Sequence, residues 1–227
     1  MFIDPHVHSN EISRCSKLSV EEVIDNKIAL GYDGAILTNH CQPWYYEKHE
    51  HKEEIKKYIE VFEKGRIYAE NKNFILMLGI EVTLTVPRYS DWLLYGLTED
   101  ILLNSPCLYA LTQKELYEFC ERNGVVLVQA HPYREPIEPC DPKYMDGVEI
   151  NCHPFHGDLP RKDKVVAFAK GNSLIITCGV DYHETVMDIK AGMIVPDEIK
   201  TAKDFGEYLK GGKTVIKIEN AIEKYEK

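Results

Sequence analysis

Short apolar runs alternate along the chain with longer stretches that mix apolar and charged residues. Runs of the first kind are typical of buried strands, and the mixed stretches have the apolar spacing of amphipathic helices. This alternation predicts an α/β fold built around a mostly parallel sheet. The predicted strands are 2–4, 34–38, 74–80, 92–96, 125–129, 147–151, 173–178, 192–195 and 214–218.

Helix boundaries are marked by capping residues. Two predicted helices start with Ser or Thr followed three residues later by Glu, which is the spacing of a capping box, and each ends near a glycine. They run from Ser19 to Gly31 and from Thr112 to Gly124. Apolar positions at helical spacing predict a long helix within 44–72. Four prolines in 132–143 predict an irregular loop.

Composition indicates an ordinary globular protein. The chain has 227 residues, of which 44% are hydrophobic, enough to fill a sizeable core. Without a linker-like segment, a low-complexity tract or a repeat, residues 1–227 are expected to form a single domain. The N-terminus does not resemble a secretory signal and no apolar run reaches about 18 residues, so a cytoplasmic location without membrane contact is expected.

Charge and cysteine content narrow the choice of partners. The formal net charge is −10, which argues against nucleic acid or anionic membrane as a partner, because such binding draws on clustered Lys and Arg. The seven cysteines form an odd set without a C-x-x-C pair, so they are interpreted as reduced thiols. The oligomeric state is left open by these features.

Residue types that bind metals follow nearly every predicted strand. In a parallel α/β fold the carboxyl ends of the strands meet at a common face, so these side chains are expected to converge there. Two of them form an H-x-H pair at the first strand, and a D-x-H pair near the end of the chain mirrors it. The residues are His6, His8, His40, Glu81, His131, His153, Asp181 and His183.

Imidazole and carboxylate donors suit Zn, Mn or Fe(II), and a carboxylate can bridge two ions. Two such ions polarise a phosphoryl oxygen and generate hydroxide from bound water. The pattern therefore predicts metal-dependent hydrolytic chemistry.

Five short motifs carry a family resemblance. They are D-P-H-V-H-S at 4–9, I-L-T-N-H at 36–40, G-I-E at 79–81, A-H-P at 130–132 and G-V-D-Y-H at 179–183. In this order they resemble the motifs of the PHP (polymerase and histidinol phosphatase) family. The resemblance implies a distorted (β/α)7 TIM-like barrel with the site at the carboxyl ends of the strands. It also implies two or three divalent ions and hydrolysis of phosphoesters.

The resemblance implies a ligand set for each ion. The ligands of the first ion would be His6, His8, Glu81 and Asp181. Glu81 would also bridge to a second ion, held by His131 and a later histidine. His153, four residues after Glu149, is taken as that ligand, with His156 as the alternate because the loop C-H-P-F-H-G offers both.

The third ion of the family implies a site made by His40, His183 and an Asp or His soon after the first H-x-H. Here the sequence departs from the family, because Ser13, Arg14 and Cys15 occupy that stretch. Either Cys15 is a thiolate ligand, or it is an inert thiol and the third ion is weak or absent.

Further residues have predicted roles in binding and proton transfer. Arg14 and Arg134 follow metal motifs, and an arginine fork suits a substrate phosphate. Asp181 belongs to the catalytic set, and His183 or His156 would protonate the leaving alkoxide. Two other roles are expected: Glu149 would orient a ligand, and Tyr182, where the family has a small residue, would narrow the pocket.

Three functions compete at this point. The first is a metal-dependent phosphatase of small phosphomonoesters, whose partner is a small phosphorylated substrate. The second keeps the metal chemistry but acts on phosphodiesters, oligonucleotides or amide-type bonds, since binuclear sites support several hydrolyses. The third is a non-catalytic module that retains metal for stability.

Overall fold

The structure is a computed structural model that describes residues 1–44 and 51–227. Its strands are β1 Phe2–Val7, β2 Gly34–Leu37, β3 His40–Cys41, β4 Ile75–Leu78, β5 Ile80–Leu84, β6 Ser90–Tyr95, β7 Val126–Gln129, β8 Gly147–Asn151, β9 Ile175–Gly179, β10 Ala191–Ile194, β11 Lys213–Ile218 and β12 Ala221–Glu226. Its α-helices are α1 Val20–Ala29, α2 His51–Glu70, α3 Glu99–Leu103, α4 Gln113–Asn123, α5 Lys162–Gly171 and α6 Ala202–Lys210. Short 3-10 helices cover Leu108–Ala110, Pro142–Tyr144 and Leu159–Arg161.

The strands form two six-stranded sheets, ordered β12-β11-β10-β1-β2-β4 and β3-β5-β6-β7-β8-β9. The α/β class is therefore confirmed, but the sheets are mixed. β1, β2 and β4 run parallel, as do β7, β8 and β9. In contrast, β6 is antiparallel to both β5 and β7, and β10 is antiparallel to β1. Apolar patterning marks a strand without giving its direction, so the sequence could not predict this reversal.

The two sheets meet along two lines. On one side the chain passes directly from β2 to β3 and from β4 to β5, and the Glu81 N–H donates to the Asn39 carbonyl at 3.2 Å. On the other side a single parallel bridge joins Val7 to Tyr182. We call this second junction the β1–β9 seam. Because the ladders form two sheets, the closed seven-stranded barrel stays a prediction.

The predicted helix starts agree with the structure. Ser19 and Thr112 are the N-caps of α1 and α4, each with both bonds of a capping box. Gly124 ends α4 in the left-handed conformation with φ 68°. The predicted helix 44–72 corresponds to α2 from His51 to Glu70. Residues 45–50 of that prediction lie outside the described residues.

The core positions the strand ends. Trp92, Tyr58 and Tyr95 are buried between the elements, and the Tyr58 hydroxyl donates to the carbonyls of Leu37 and Gly79. This hydroxyl therefore ties α2 to the places where β2 and β4 end. No helix of the described residues is both long enough and apolar enough to cross a membrane.

Candidate metal centre

The two mirrored pairs of the sequence come together at the β1–β9 seam. The His8 N–H donates to the Tyr182 carbonyl at 2.9 Å, and the Tyr182 N–H donates to the His6 carbonyl at 3.0 Å. The rings of His8 and His183 consequently stack with centroids 4.3 Å apart. His6, in β1, and His8, directly after that strand, are fully buried, and Asp181 is 2% exposed. Residues separated by some 175 positions in the chain thus form one cluster.

Glu81 lies at the centre of this cluster. Its Oε1 is 3.2 Å from His131 Nε2 and 3.4 Å from His6 Nε2. Its Oε2 is 2.7 Å from His40 Nδ1 and 3.5 Å from His8 Nε2. Burial opposes the charge, yet His40 and His6 lower the pKa of Glu81 well below its usual value. A carboxylate flanked by imidazoles on both oxygens has the placement of a bridging ligand.

Asp181 faces the same cluster with one oxygen. Its Oδ1 lies 3.3 Å from His6 Nε2 and 3.2 Å from His8 Nε2. Its Oδ2 accepts a hydrogen bond from Arg134 Nη2 at 2.5 Å. Against the effect of burial, His6, Arg134 and His183 hold the pKa of Asp181 well below its usual value. The side chain is therefore an anion that presents one free oxygen to the histidines.

The Nδ1 atoms of the first H-x-H carry the ring protons. His6 Nδ1 lies 2.8 Å from Glu149 Oε1, which can only accept. His8 Nδ1 lies 3.1 Å from the Ser13 hydroxyl. That hydroxyl donates its own proton to Asn39 Oδ1, so it accepts from His8. Carboxylate and hydroxyl partners of this kind fix the tautomer of metal-binding histidines, and the role expected for Glu149 fits this contact.

In its neutral form with Nδ1 protonated, each ring presents an Nε2 lone pair to carboxylate oxygens. Burial lowers the pKa of His6, but these carboxylates and Glu149 raise it well above its usual value, so positive charge is favoured at this position. The Nε2 atoms of His6 and His8 are buried and make no hydrogen bond within the described residues. The oxygens of Glu81 and Asp181 nevertheless lie 3.2 to 3.5 Å away. Acceptors that face one another in a buried space repel unless a cation lies between them. The donor set therefore fits a divalent metal ion.

A second group joins Glu81 to Asp91 and His131. Asp91 is not among the ligands predicted from the sequence, which all follow the ends of predicted strands. Asp91 lies near the start of β6, and since β6 is antiparallel, its start shares an edge with the ends of β5 and β7. Asp91 Oδ2 lies 3.8 Å from His131 Nε2, and its Oδ1 accepts from the Thr83 hydroxyl at 2.6 Å. An Asp at the head of the apolar run S-D-W-L-L-Y was the available signal.

A third group contains His8, His40 and His183. His183 Nδ1 donates to the Asp181 carbonyl at 2.8 Å, and its Nε2 lies 3.1 Å from Cys15 Sγ. Cys15 is exposed at the edge of the group. Burial of part of the thiol opposes ionisation, but hydrogen bonds to His183 and His40 lower the pKa of Cys15 to about 6. A thiolate is thus available beside two imidazoles.

His153 is not brought into any of these groups among the described residues. Its Nδ1 accepts the backbone N–H groups of Phe155 and His156, each at 3.2 Å. Burial, together with the charges of Arg134 and His183, lowers the pKa of His153 to about 4. The ring is therefore neutral with its proton on Nε2, so this atom is a donor. Asp91 lies beside His131 in the second group, and a ligand role for His153 stays a prediction.

The three groups open into a cavity of about 460 Å³. His153 and His156 line it, with their rings stacked at 5.2 Å. Arg134 also lines it, donating from Nε to the His156 carbonyl at 3.1 Å and from Nη2 to Asn151 Oδ1 at 3.1 Å. Arg14, the other predicted phosphate ligand, is exposed and lies outside the lining of this cavity.

Tyr182 does not narrow the cavity. Its side chain is 1% exposed and is not part of the cavity lining. The ring instead packs over Lys27 Nζ, 3.9 Å from the ring centroid. The expectation of a smaller pocket is wrong because this ring is buried against Lys27, away from the cavity lining.

Backbone conformation at the site is unusual. His131 and Asp181 have φ angles of 31° and 59°, in the left-handed region that non-glycine residues rarely adopt. Gly179 passes between His6 and Glu149, where an added Cβ would lie 2.7 Å from His6 Cβ and 2.8 Å from Glu149 Oε1. The glycine of the G-V-D-Y-H motif is thus required by a close approach of two strands.

Comparison with known proteins gives structural neighbours only. No family model matches the sequence, and no curated protein does either. A two-domain protein from Bacteroides vulgatus that contains a predicted PHP-like metal-dependent phosphoesterase matches with a TM-score of 0.70 and 15% identity. The match covers 98% of this chain and 66% of that one.

Two other solved structures share the fold. An amidohydrolase from Chromobacterium violaceum with bound sulfate and no metal matches with a TM-score of 0.61 and 14% identity, over 91% of this chain and 96% of that one. The lesion-specific endonuclease EndoQ from Pyrococcus furiosus matches with a TM-score of 0.59 and 16% identity, over 96% of this chain and 57% of that one. The resemblance indicated by the five sequence motifs is thus confirmed in three dimensions: the chain has the fold of the PHP-like metal-dependent phosphoesterases.

Proposed function

We propose that this chain is a metal-dependent phosphatase of small phosphomonoesters, acting at the cavity beside the three ligand groups. The observation that carries the proposal is the set of buried imidazole nitrogens that face carboxylate oxygens without a hydrogen bond beside that cavity. The fold shared with PHP-like phosphoesterases supports it, and we extend the likeness to a seven-stranded barrel with the site at its mouth. Its predicted location is the cytoplasm.

Two or three divalent ions, Zn, Mn or Fe, are the proposed cofactors. When bound, such ions polarise a phosphoryl oxygen and supply hydroxide from water at neutral pH. The first group would hold one ion through both β1 histidines and two carboxylates, and the second would add Asp91. The third would use a thiolate. The proposed ligands are His6, His8, Glu81 and Asp181; Glu81, Asp91 and His131; and His40, His183 and Cys15.

Arg134 and His153 supply donors for the substrate phosphate. The Nε2 proton of His153 follows from the two backbone N–H groups that its Nδ1 accepts. Arg134 is already held in place by Asn151 and Asp181, so its fork loses little freedom on binding an anion. Together they offer a neutral and a charged donor at one wall of the cavity, which suits a terminal phosphate.

Proton delivery to the leaving alkoxide falls to His156 rather than to His183. His183 belongs to the third ligand group, with its Nδ1 bonded to the Asp181 carbonyl and its Nε2 beside Cys15, so we assign it to the metal. His156 lines the cavity, belongs to none of the three ligand groups of the described residues, and is exposed to solvent from which it can regain a proton. Asp181 contributes a negative charge at the ligand cluster, and its other carboxylate oxygen holds Arg134 in position by accepting a hydrogen bond from it.

The test is phosphate release from a panel of phosphomonoesters by the purified chain, with Mn, Zn and Fe each supplied. The double variant His6→Ala/Asp181→Ala removes one ligand from each side of the seam and is expected to lose about 1,000-fold or more in rate. Bound metal is measured on the same samples. Release that never exceeds the level of the double variant, with any of the metals, would overturn the proposal.

A second candidate is hydrolysis of phosphodiesters, including oligonucleotides. It is favoured by exposed aromatic rings near the cavity, since bases stack on such rings. Trp44 and Tyr89 lie nearly parallel with centroids 6.2 Å apart, and Phe155 is 63% exposed. The net charge of −10 opposes it. Binding of a labelled oligonucleotide that weakens steeply with salt would support this candidate.

A further inference from the structure

A fully buried ammonium lies outside the ligand groups. Lys27, near the end of α1, is 0% exposed, and its Nζ donates to Asp4 Oδ2 at 2.5 Å. Burial lowers the pKa of Lys27 and raises that of Asp4, although their attraction opposes both shifts. A buried ion pair rarely stabilises a fold more than apolar residues of the same size would. Stability alone is therefore a poor explanation for this pair.

The Lys27–Asp4 ion pair also contacts residues on both sides of the β1–β9 seam. Asp4 Oδ1 accepts the backbone N–H of His6 and that of Val180, each at 3.1 Å. Lys27 Nζ also lies over the ring of Tyr182, 3.9 Å from its centroid. One ion pair thus contacts β1 beside its first histidine and the segment that carries the D-x-H pair.

This seam is where backbone pairing between the strands is thinnest. β8 and β9 pair through five consecutive residues, from Gly147 with Ile175 to Asn151 with Gly179. Across the seam the described residues form a single bridge, Val7 with Tyr182. Side-chain contacts must therefore contribute more to the alignment there than they do within a regular ladder.

Ligand spacing depends on that alignment. The atoms that would share the first ion come from opposite sides: His6 Nε2 and His8 Nε2 lie 3.3 and 3.2 Å from Asp181 Oδ1. A metal site tolerates only a few tenths of an ångström of error in its ligand distances. Any slip of one strand along the other would change both distances together.

We propose that Lys27 is a positioning residue, whose ammonium, held by Asp4 and by the Tyr182 ring, fixes the seam at the separation that the first ion requires. This role rests on the proposed function in one respect only: an ion must bind between these ligands. It also accounts for the large residue at position 182, which covers a buried charge.

The experiment compares Lys27→Met with Phe205→Leu in the full chain. Methionine keeps the length of the stem and removes the charge. Phe205 is buried in α6 against Tyr95, with ring centroids 5.2 Å apart, and belongs to none of the described ligand groups. The affinity of chelator-stripped protein for the first equivalent of Zn²⁺ is measured by competition with a chromophoric chelator. We expect Lys27→Met to weaken it about 10- to 100-fold, as loss of a supporting contact does at other metal sites.

The control separates positioning from general destabilisation. Phe205→Leu should lower the melting temperature and leave Zn²⁺ affinity unchanged. Wild-type affinity in Lys27→Met would overturn the proposal, because the lysine would then serve stability alone. Tighter binding in Lys27→Met would overturn it too, since removal of a repelling positive charge would then be the main effect.

If the Lys27→Met protein fails to fold, a milder pair of variants tests the same proposal. Tyr182→Leu removes the ring over the ammonium and should weaken Zn²⁺ binding several-fold, whereas Tyr182→Phe keeps the ring and should bind as the wild type does. Equal affinities in all three proteins would count against the proposal. Since no substrate is used, a chain that binds ions but hydrolyses no phosphoester would end the proposed function and leave this inference standing.

Discussion

Two cavities of the described structure are nearly equal in volume and differ in what lines them. The cavity at the candidate metal centre has about 460 Å³ and is walled by imidazoles and carboxylates from strand ends. The other has about 420 Å³ and lies between α2, α3 and the start of α6, over Phe62, Leu76 and Leu97. Volume therefore does not distinguish a site of chemistry from a gap between helices. The distinction lies in whether buried acceptors are left facing one another.

Charged groups at the two cavities have different kinds of partners. Beside the second cavity, Arg66 donates to Glu63 and Glu70 on the surface of α2, where water can replace either partner. At the first cavity, Glu81 is fully buried and both its oxygens face imidazoles. Surface pairs of the first kind contribute little to stability. Buried groups of the second kind require a fixed geometry, so crowding at the first cavity should be far more damaging.

The largest effect is expected from Gly179→Ala. The new Cβ would collide with His6 and with the Glu149 oxygen that holds the His6 ring. We expect a loss of about 1–3 kcal/mol in the free energy of unfolding, as overpacking costs elsewhere, and about 10-fold weaker Zn²⁺ binding. Urea unfolding and chelator competition measure the two effects.

Gly171→Ala is the matched control, because an added Cβ at this end of α5 meets nothing within 4 Å. Its stability should stay within about 1 kcal/mol of the wild type, with unchanged metal affinity. If the two alanine variants behaved alike, the packing of Gly179 against His6 and Glu149 would be as tolerant as an open helix end. The fixed geometry inferred for the buried groups beside the first cavity would then be wrong.

Much of this centre was predictable because ligands at strand ends converge by topology. His6, Glu81, His131 and Asp181 all lie where the alternation of strands and helices places them, and they meet within hydrogen-bonding distances. The capping box at Ser19 was equally predictable from the sequence, since it depends only on two residues three positions apart. Local chemistry and strand order were enough for these predictions.

The remainder depends on facts that no local pattern contains. Asp91 became a candidate ligand only because β6 reverses its direction, which its apolar run does not reveal. His153 proved to be a donor because two backbone N–H groups point at Nδ1, a property of the loop and not of the residue type. The ion pair of Lys27 has no signal in the sequence, since its partner Asp4 lies 23 residues away. Direction, tautomer and long-range pairing are set by the tertiary structure.

A smaller effect is expected from Asp158→Asn, which tests burial of acceptors near the first cavity. Asp158 is 0% exposed, and neither carboxylate oxygen has a hydrogen-bond partner within the described part of the chain. Burial raises the pKa of Asp158 to about 6, and the neighbouring His131 offsets this shift only in part. Between about pH 4 and 6 the folded state holds a proton that the unfolded state has lost, so stability falls as pH rises.

Asparagine carries no charge, so Asp158→Asn should be more stable than the wild type above pH 6, by about 1–2 kcal/mol. The difference should vanish below about pH 4, where the aspartate is neutral in both states. Urea unfolding of chelator-treated protein at pH 4, 6 and 8 measures it, with exposed Asp188→Asn as the control. A destabilised Asp158→Asn at pH 8 would mean that the buried charge has a partner that stabilises it.

The smallest effect is expected from Glu99→Gln, at the rim of the second cavity. Partial burial and the neighbouring Glu63 raise the pKa of Glu99, so two carboxylates repel each other there once both have ionised. Glutamine removes the repulsion and should stabilise the fold by only a few tenths of a kcal/mol above pH 6, because solvent screens charges at the surface. Urea unfolding at pH 8 measures this gain, while bound metal and phosphate release should equal those of the wild type. A changed rate of phosphate release in Glu99→Gln would show that the second cavity takes part in the reaction, and a cavity without facing acceptors would then have to be counted as functional.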